Sequence, residues 1–150
     1  LDEIIALERR IVEDLRPSAL THLGLVATLE ILADEFAAAS GLRVHRALAP
    51  APLPASTELV IYRLVQEALT NIARHAQARQ VWLTLAAQDG GVEVAVRDDG
   101  VGFDTEAGLA SAYGLLGMRY RVEAERGTLT VRSAPGQGTC IEGRFAAAGG

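Results

Sequence analysis

The stretch Glu67-Ala-Leu-Thr-Asn71-Ile-Ala-Arg-His75 decides how the rest of the chain is interpreted. Glu67, Asn71 and His75 recur every fourth residue, which in an α-helix places them along one side, away from an apolar core face. A solvated helix face is the ordinary meaning of such a polar stripe. However, a carboxylate one turn from an amide is also a good pair of oxygen ligands for Mg²⁺, which keeps several waters and takes few protein ligands.

The opposite side of the same segment predicts a long helix that packs on a sheet. Six apolar residues fall on one stripe at helical spacing: Ile61, Val65, Ala68, Leu69, Ile72 and Ala76. We expect Ser56 or Thr57 to cap the start of this helix, and we expect the helix to end at Ala76. Leu64 interrupts the polar stripe, which indicates that the polar side is not fully exposed to water.

Hydrophobic periodicity predicts an α+β fold. Alternating apolar residues indicate strands at 42–48, 80–87, 92–98, 128–134 and 139–146. Helical spacing indicates further helices at 2–16, 23–39 and 115–126. Asp89-Gly90-Gly91 is typical of a hairpin turn, and residues 99–114 are expected to form a mobile loop. The expected architecture is a two-layer α/β sandwich, with a mixed, mostly antiparallel sheet, helices on one face and a helical segment at the N-terminus.

Composition limits the possible functions. The 150 residues are 49% hydrophobic, enough for one domain with a short appendage, and no apolar run is long enough for a membrane span. The chain has no lysine, which excludes a Walker-type phosphate loop and a eukaryotic-type protein kinase site. The net charge of −5 argues against nucleic-acid binding. The single cysteine, Cys140, is expected to be a small apolar strand residue, and it fits a reducing compartment.

Two glycine motifs have spacings that suit a nucleotide. In Asp98-Asp99-Gly100-Val101-Gly102, alternate glycines let a backbone approach a ligand closely, although the same residues are common in turns. The Asp98 carboxylate only accepts hydrogen bonds, which suits an exocyclic amine such as adenine N6. Gly114-Leu-Leu-Gly117-Met118 opens a helix, where free amides bind phosphate or merely form a cap with a hinge.

A third motif, Gly136-Gln137-Gly138-Thr139, is either a plain hairpin turn or a source of a hydroxyl, from Thr139, for the same pocket. Each motif is weak evidence alone. Their order along the chain, on a helix, a strand end, a helix start and a strand start, is much less expected by chance. Together they predict a nucleotide site that uses amide, carboxylate and backbone groups in place of lysine.

With these motifs, residues 42–146 resemble the GHKL superfamily of ATP-binding domains, and most of all those of bacterial sensor histidine kinases. The stretch from Glu67 to His75 resembles the N box of that superfamily. Asp98-Asp99-Gly100-Val101-Gly102-Phe103 and Gly114-Leu-Leu-Gly117-Met118 resemble its two glycine boxes, and Gly136-Gln137-Gly138-Thr139 resembles its closing element. The resemblance implies the Bergerat-type ATP-binding fold, with ATP and Mg²⁺ bound.

The resemblance also implies a role for each matching residue. Asn71 would ligate Mg²⁺, while Glu67 would hold a metal-bound water or act as the polar catalytic residue. Asp98 would bind adenine N6, supported through water by Thr139. The remaining ATP-binding residues would contact phosphate or shape the lid over the triphosphate: Arg74, His75, Gly100, Gly102, Gly114, Leu115, Gly117 and Met118.

Residues 1–41 resemble the end of the helical dimerisation and phosphoacceptor domain in the kinases that pair with helix-turn-helix response regulators. The likeness rests on 14–20 and on Leu23-Gly24-Leu25. The acceptor histidine of that subfamily lies on the preceding helix beside an acid; neither His22 nor His45 has that context. We therefore expect 1–41 to lack the acceptor and 42–150 to form the catalytic ATP-binding domain. Tyr120 stands where the subfamily often has an acid.

The implied function is transfer of the ATP γ-phosphoryl group to a histidine on the upstream helix, and then to an aspartate of a response regulator. The implied setting is cytoplasmic, in a homodimer formed through the upstream bundle, with no membrane contact in this stretch and no direct nucleic-acid binding. Two alternatives remain: a GHKL-type serine kinase of the anti-sigma-factor kind, which the Leu15-Arg16-Pro17 region disfavours, and a non-catalytic module gated by nucleotide, which the full set of site residues disfavours.

Overall fold

The computed structural model describes residues 17–105 and 114–146. The predicted helix at 2–16 and the centre of the predicted loop at 99–114 lie outside these ranges. The elements, in chain order, are α1 (Ser18–Leu23), α2 (Leu25–Ser40), β1 (Arg43–Leu48), α3 (Ala55–Asn71), a π-helical turn (Ile72–Ala76), β2 (Gln80–Gln88), β3 (Gly91–Asp98), α4 (Leu115–Ala124), β4 (Thr128–Ser133) and β5 (Thr139–Ala146).

The five strands form one sheet in the order β1-β2-β3-β5-β4. β1 and β2 are parallel, because α3 crosses between them, and the other neighbours are antiparallel. Asp89 and Gly90 both have positive φ angles, 52° and 78°, as the predicted tight hairpin between β2 and β3 requires. The predicted mixed, mostly antiparallel sheet is confirmed.

The described helices cover one face of the sheet, and the core lies between the two layers. All six predicted apolar residues of α3 and its extension are buried, and so is Leu64. They share one core with the inward residues of two interior strands, β2 and β3: Val81, Leu83, Leu85, Val92, Val94 and Val96. On the other face, Trp82 stacks on His45 with 5.3 Å between ring centroids and lies 4.4 Å from the Arg97 guanidinium carbon. The expected two-layer sandwich is confirmed.

The helix boundaries differ from the predictions in two places. The short helix α1 was not predicted, and Gly24, at φ 86°, separates it from α2. The predicted cap of α3 at Ser56 or Thr57 is wrong, because Pro54 occupies the N-cap position and the helix begins at Ala55. The hydroxyls of Ser56 and Thr57 instead donate to Glu125 Oε1, at 2.6 and 3.0 Å. Within the described ranges, no helix combines the length and apolarity that a membrane span needs.

The packing predicts the effect of emptying the core at β2. Leu83→Ala is expected to lower the free energy of unfolding by about 3 kcal/mol, since Leu83 is fully buried on a central strand. Thr84→Ala, on the exposed side of the same strand, is the matched control and is expected to cost less than about 1 kcal/mol. Urea denaturation of the two variants measures both values, and equal losses would contradict this placement of the core.

Candidate nucleotide-binding site

A cavity lies between the C-terminal end of α3 and the end of β3. The empty space within it, including the part open to solvent, is about 410 Å³. Its lining consists of Ala68, Asn71, Ile72, His75, Ala76, Val96, Asp98, Gly102, Phe103, Leu115, Thr139 and Ile141. Most of this wall is apolar, with a few polar groups that converge on the same space.

Asp98 is the charged group of the cavity wall. It ends β3 on the side of the sheet that the helices cover, and only 5% of its surface is exposed. The Gly100 amide donates to Asp98 Oδ1 at 2.8 Å. Burial raises the pKa of the Asp98 carboxyl; Asp99 adds to this, while the Gly100 and Thr139 amides oppose it. A buried carboxylate that borders a cavity is suited to accept a hydrogen bond from a ligand.

The neighbouring carboxylate, Asp99, has a structural role instead. Asp99 Oδ1 accepts hydrogen bonds from the backbone amides of Gln80 and Arg79, at 2.9 and 2.8 Å. These amides lower the pKa of Asp99, whose side chain is exposed. Asp99 therefore anchors the end of β3 to the start of β2, and only Asp98 of this pair lines the cavity.

Asn71 and His75 both line the cavity from the helix side. Asn71 is only 9% exposed, so the expectation that the polar stripe faces away from the core is wrong at this residue. After Asn71 the helix widens into the π-helical turn, and α-helical spacing no longer sets where His75 points. Single π-turns inside helices occur frequently at functional sites, and this one ends at Gln77, in a left-handed conformation.

Glu67 lies beside the cavity, against the start of α4. A Cβ atom placed on Gly114 would be 2.6 Å from Glu67 Oε1, so the carboxylate directly abuts this glycine. Gly114 is the N-cap of α4, where the first backbone amides have no partner within the helix. A negative charge is favourable there, and the Glu67 carboxylate lies at that position.

The loop after Asp98 is held tightly on both sides. The Val101 amide donates to Ala76 O, and the Gly136 amide donates to Val101 O, both at 2.7 Å. Gly102 has φ 66°, and a Cβ there would lie 2.1 Å from Ala134 O. A side chain at Gly102 would therefore separate the loop from the β4–β5 turn. Gly100 is similarly close to Ala76 O.

The predicted site residues do not all meet in the cavity. Six of them line it: Asn71, His75, Asp98, Gly102, Leu115 and Thr139. The side chain of Arg74 lines a separate groove between α2 and α3. Met118 is buried in the core, and its amide donates to Gly114 O at 3.1 Å. Gly117 is exposed on α4, near Arg121.

Sequence reasoning gave no role to two residues that the structure places at the site. Phe103 forms part of the apolar wall of the cavity. Its position directly after the glycine motif could have indicated this from the sequence. Ser133 Oγ lies 2.8 Å from Thr139 Oγ1 and accepts a hydrogen bond from the Phe103 amide at 2.8 Å. The sequence around Ser133 does not indicate its role, because its hydrogen bond with Thr139 depends on the β4–β5 register that pairs the two residues.

The protein offers few ligands for a metal ion here. Within residues 17–105 and 114–146, no three His, Cys, Asp or Glu side chains cluster at metal-binding distance. Asn71 and Glu67 are the oxygen donors on the helix side of the cavity. Such a sparse set does not fit zinc or calcium, but it fits Mg²⁺ that takes its other ligands from water and phosphate.

Comparison with known proteins agrees with this geometry. The sequence model for histidine kinase-, DNA gyrase B- and HSP90-like ATPases matches residues 56–148. The chain is 38% identical over 136 residues to the signal transduction histidine-protein kinase/phosphatase DegS of Brevibacillus brevis, covering 89% of this chain and 35% of DegS. It is 32% identical over 142 residues to the sensor histidine kinase ComP of Bacillus subtilis (strain 168), covering 92% of this chain and 18% of ComP. The chain thus spans about a third or less of these relatives.

Solved structures give the same fold. The Erythrobacter litoralis EL346 blue-light activated histidine kinase superimposes with a TM-score of 0.71 at 25% identity, over 83% of this chain and 42% of that one. Acinetobacter baumannii histidine kinase AdeS superimposes with a TM-score of 0.69 over 98% of this chain and 81% of its own, and at 13% identity it shows the fold alone. With the family model matching well over half of the residues, the chain belongs to the histidine kinase-, DNA gyrase B- and HSP90-like ATPases.

Proposed function

We propose that this chain is the catalytic, ATP-binding part of a two-component sensor histidine kinase. The observation that carries the proposal is the buried Asp98 carboxylate in an apolar cavity that Asn71 also lines. The similarity to sensor histidine kinases extends over most of the chain, including most of the region before residue 42. That extent favours a histidine kinase over an anti-sigma-type serine kinase or a nucleotide-gated module.

The adenine would occupy the apolar part of the cavity. Ile72, Val96 and Ile141 offer flat apolar contact, and Asp98 accepts a hydrogen bond from the exocyclic amine. Thr139, which pairs with Asp98 across β5 and β3, adds a second polar group beside it. A purine with an amino group therefore matches the polarity of this wall.

The phosphates would lie near Asn71 and the start of α4. Asn71 would ligate Mg²⁺ directly and Glu67 through a water; the ion supplies positive charge that offsets the phosphate oxygens. The amides in the first turn of α4 (Leu115 to Gly117), which have no acceptor within the helix, can donate to a phosphate, whereas the Met118 amide already donates to Gly114 O. His75 would contact phosphate from the cavity wall, and Arg74 would do so by turning from its groove.

Phosphoryl transfer needs positioning and charge neutralisation more than covalent protein chemistry. In the intact protein, residues 1–41 would continue a dimerisation helix that presents the acceptor histidine, and 42–150 would act as the catalytic domain. Two chains would pair through that upstream bundle. A response regulator with helix-turn-helix output would then receive the phosphoryl group on an aspartate, in the cytoplasm.

A transfer assay tests the proposed function directly. The chain is mixed with radiolabelled ATP, Mg²⁺ and a separately made helical bundle that carries an acceptor histidine. We expect label on the bundle that is stable in alkali and lost in acid, as phosphohistidine is. Acid-stable label on serine would support the serine kinase instead, and ATP binding with no transfer would support the gated module.

The role of Asn71 predicts how Mg²⁺ changes nucleotide affinity. Mg²⁺ is expected to strengthen ATP binding by the unsubstituted chain, and Asn71→Ala is expected to remove most of that gain, about tenfold, because the ion loses its direct protein ligand. Isothermal titration with Mg²⁺ or with EDTA measures the difference. Thr70→Ala, at the residue of α3 directly before Asn71, is the matched control. An Mg²⁺ effect that Asn71→Ala leaves intact would contradict this ligand assignment.

Asp98→Asn is expected to weaken ADP binding by about 100-fold, because the amide oxygen remains with Gly100 and an amide NH₂ then faces the adenine amine. Asp99→Asn is the matched control, since Asp99 does not line the cavity. Titration with ADP measures both affinities. Unchanged ADP binding in Asp98→Asn would contradict the adenine assignment.

The same variant is expected to be more stable than the unsubstituted chain at neutral pH. The fold raises the pKa of Asp98 above its ordinary value of 3.8. At a pH between 3.8 and the raised pKa, the folded chain therefore holds a proton that the unfolded chain has released. Stability therefore falls as the pH rises through that window. Asparagine avoids this loss, so Asp98→Asn should raise Tm at pH 7, with a gain that shrinks as the pH approaches 3.8. Thermal denaturation across this pH range measures the gain.

A further inference from the structure

The hydroxyl of Ser133 joins three segments that meet at the cavity. Ser133 Oγ accepts a hydrogen bond from the Phe103 amide at 2.8 Å and donates to Gly138 O at 3.0 Å. It also lies 2.8 Å from the hydroxyl of Thr139, its direct cross-strand neighbour. Ser133, Thr139 and Asp98 thus form one lateral row across β4, β5 and β3, on the side of the sheet that the helices cover.

The chemistry of these groups decides which hydroxyl donates in the Ser133–Thr139 hydrogen bond. A serine hydroxyl has one proton and two lone pairs. The carbonyl of Gly138 can only accept, so the Ser133 proton goes there, and the Phe103 N–H uses one lone pair. With these two partners in place, the other lone pair of Ser133 is left for the Thr139 proton, the only direction that satisfies all three contacts at once. The Thr139 hydroxyl therefore has no proton to offer a ligand.

Under this assignment, neither Asp98 nor Thr139, the two polar side chains on the sheet side of the cavity, donates a hydrogen bond to a ligand. Thr139 Oγ1 presents lone pairs, and the Asp98 carboxylate is acceptor-only when ionised. A purine with an amine at position 6 supplies two protons to such a pair. A purine with a carbonyl at position 6 brings a third acceptor, and its single N–H at position 1 can pair with only one of the two groups.

We propose that Ser133 is a specificity-determining positioning residue: it fixes the Thr139 hydroxyl as an acceptor, so that the site takes 6-aminopurine nucleotides and rejects 6-oxopurine nucleotides. The inference rests on the proposed function, because it assumes that the purine lies against Asp98 and Thr139. Ser133 need not touch the nucleotide; it acts through Thr139. A purely structural role, in which Ser133 only holds the Phe103 loop, would weaken both kinds of nucleotide equally.

The test compares ADP with IDP, which differs from ADP only in the 6-position group and its ring tautomer. Isothermal titration of the full 150-residue chain is expected to show ADP bound about 100-fold more tightly than IDP. In Ser133→Ala the Thr139 proton becomes free to turn toward a carbonyl, and the ADP:IDP preference is expected to fall about tenfold. The preference does not vanish, because Asp98 still repels the carbonyl oxygen.

Three further variants show that the effect passes through Thr139. Ser133→Thr keeps the hydroxyl and is expected to retain the preference. Thr139→Val is expected to lower it, and adding Ser133→Ala to Thr139→Val should then change it no further. Ser133→Cys replaces the alanine variant in this test should that variant fail to fold, because a thiol has a similar size but makes weaker hydrogen bonds. The ADP:IDP preference of Ser133→Cys is expected to fall as well.

The outcomes separate this inference from the function on which it rests. If the unsubstituted chain prefers ADP and Ser133→Ala or Ser133→Cys keeps the full preference, the role of Ser133 is wrong while the adenine assignment stands. If Ser133→Ala weakens ADP and IDP by the same factor, Ser133 is only a structural support. If the unsubstituted chain binds neither nucleotide or binds them equally, the placement of adenine against Asp98 fails, and this inference fails with it.

Discussion

The arrangement depends on one buried charge. Along β3 the inward positions Val92, Val94 and Val96 are apolar, and the next inward position is Asp98. Removing a carboxylate from water is costly, and the backbone amides of Gly100 and Thr139 compensate only in part, since the pKa of Asp98 stays raised. The sheet therefore places an ionisable group where packing alone would favour another valine. That stability cost is what leaves an acceptor in an apolar wall, ready for a ligand donor.

The glycine loop keeps this acceptor aimed at the cavity. The backbone of Val101 is hydrogen-bonded on one side to the end of the π-helical turn and on the other side to the β4–β5 turn. Gly102 lets the loop approach the β4–β5 turn more closely than any side chain would permit. Because the Phe103 amide then reaches Ser133, the loop, the helix end and the β4–β5 turn support one another. The polar groups of the site are thus fixed by contacts between segments that are distant in sequence.

Local patterns predicted the features that depend on local geometry. Alternation identified the inward residues of β2 and β3, and helical spacing identified the buried side of α3, because side-chain direction follows directly from strand and helix periods. The patterns missed the features that tertiary contacts set. The π-helical turn after Asn71 changes the helical spacing, and the Ser133 contact requires the β4–β5 register. The cap at Ser56 or Thr57 was wrong because Pro54 starts the helix and Glu125 takes both hydroxyls.

Charge gives a physical reason for a metal ion at a site that has no lysine. Among the described residues that line the cavity, Asp98 is the charged side chain, and Glu67 adds a second negative charge at the start of α4. Arg74, the arginine of the 67–75 stretch, lies in the groove between α2 and α3. A triphosphate would therefore approach two carboxylates, in a chain whose net charge is −5. Helix-end amides offset only part of that repulsion, which supports the proposal that Mg²⁺, held by Asn71, accompanies the triphosphate.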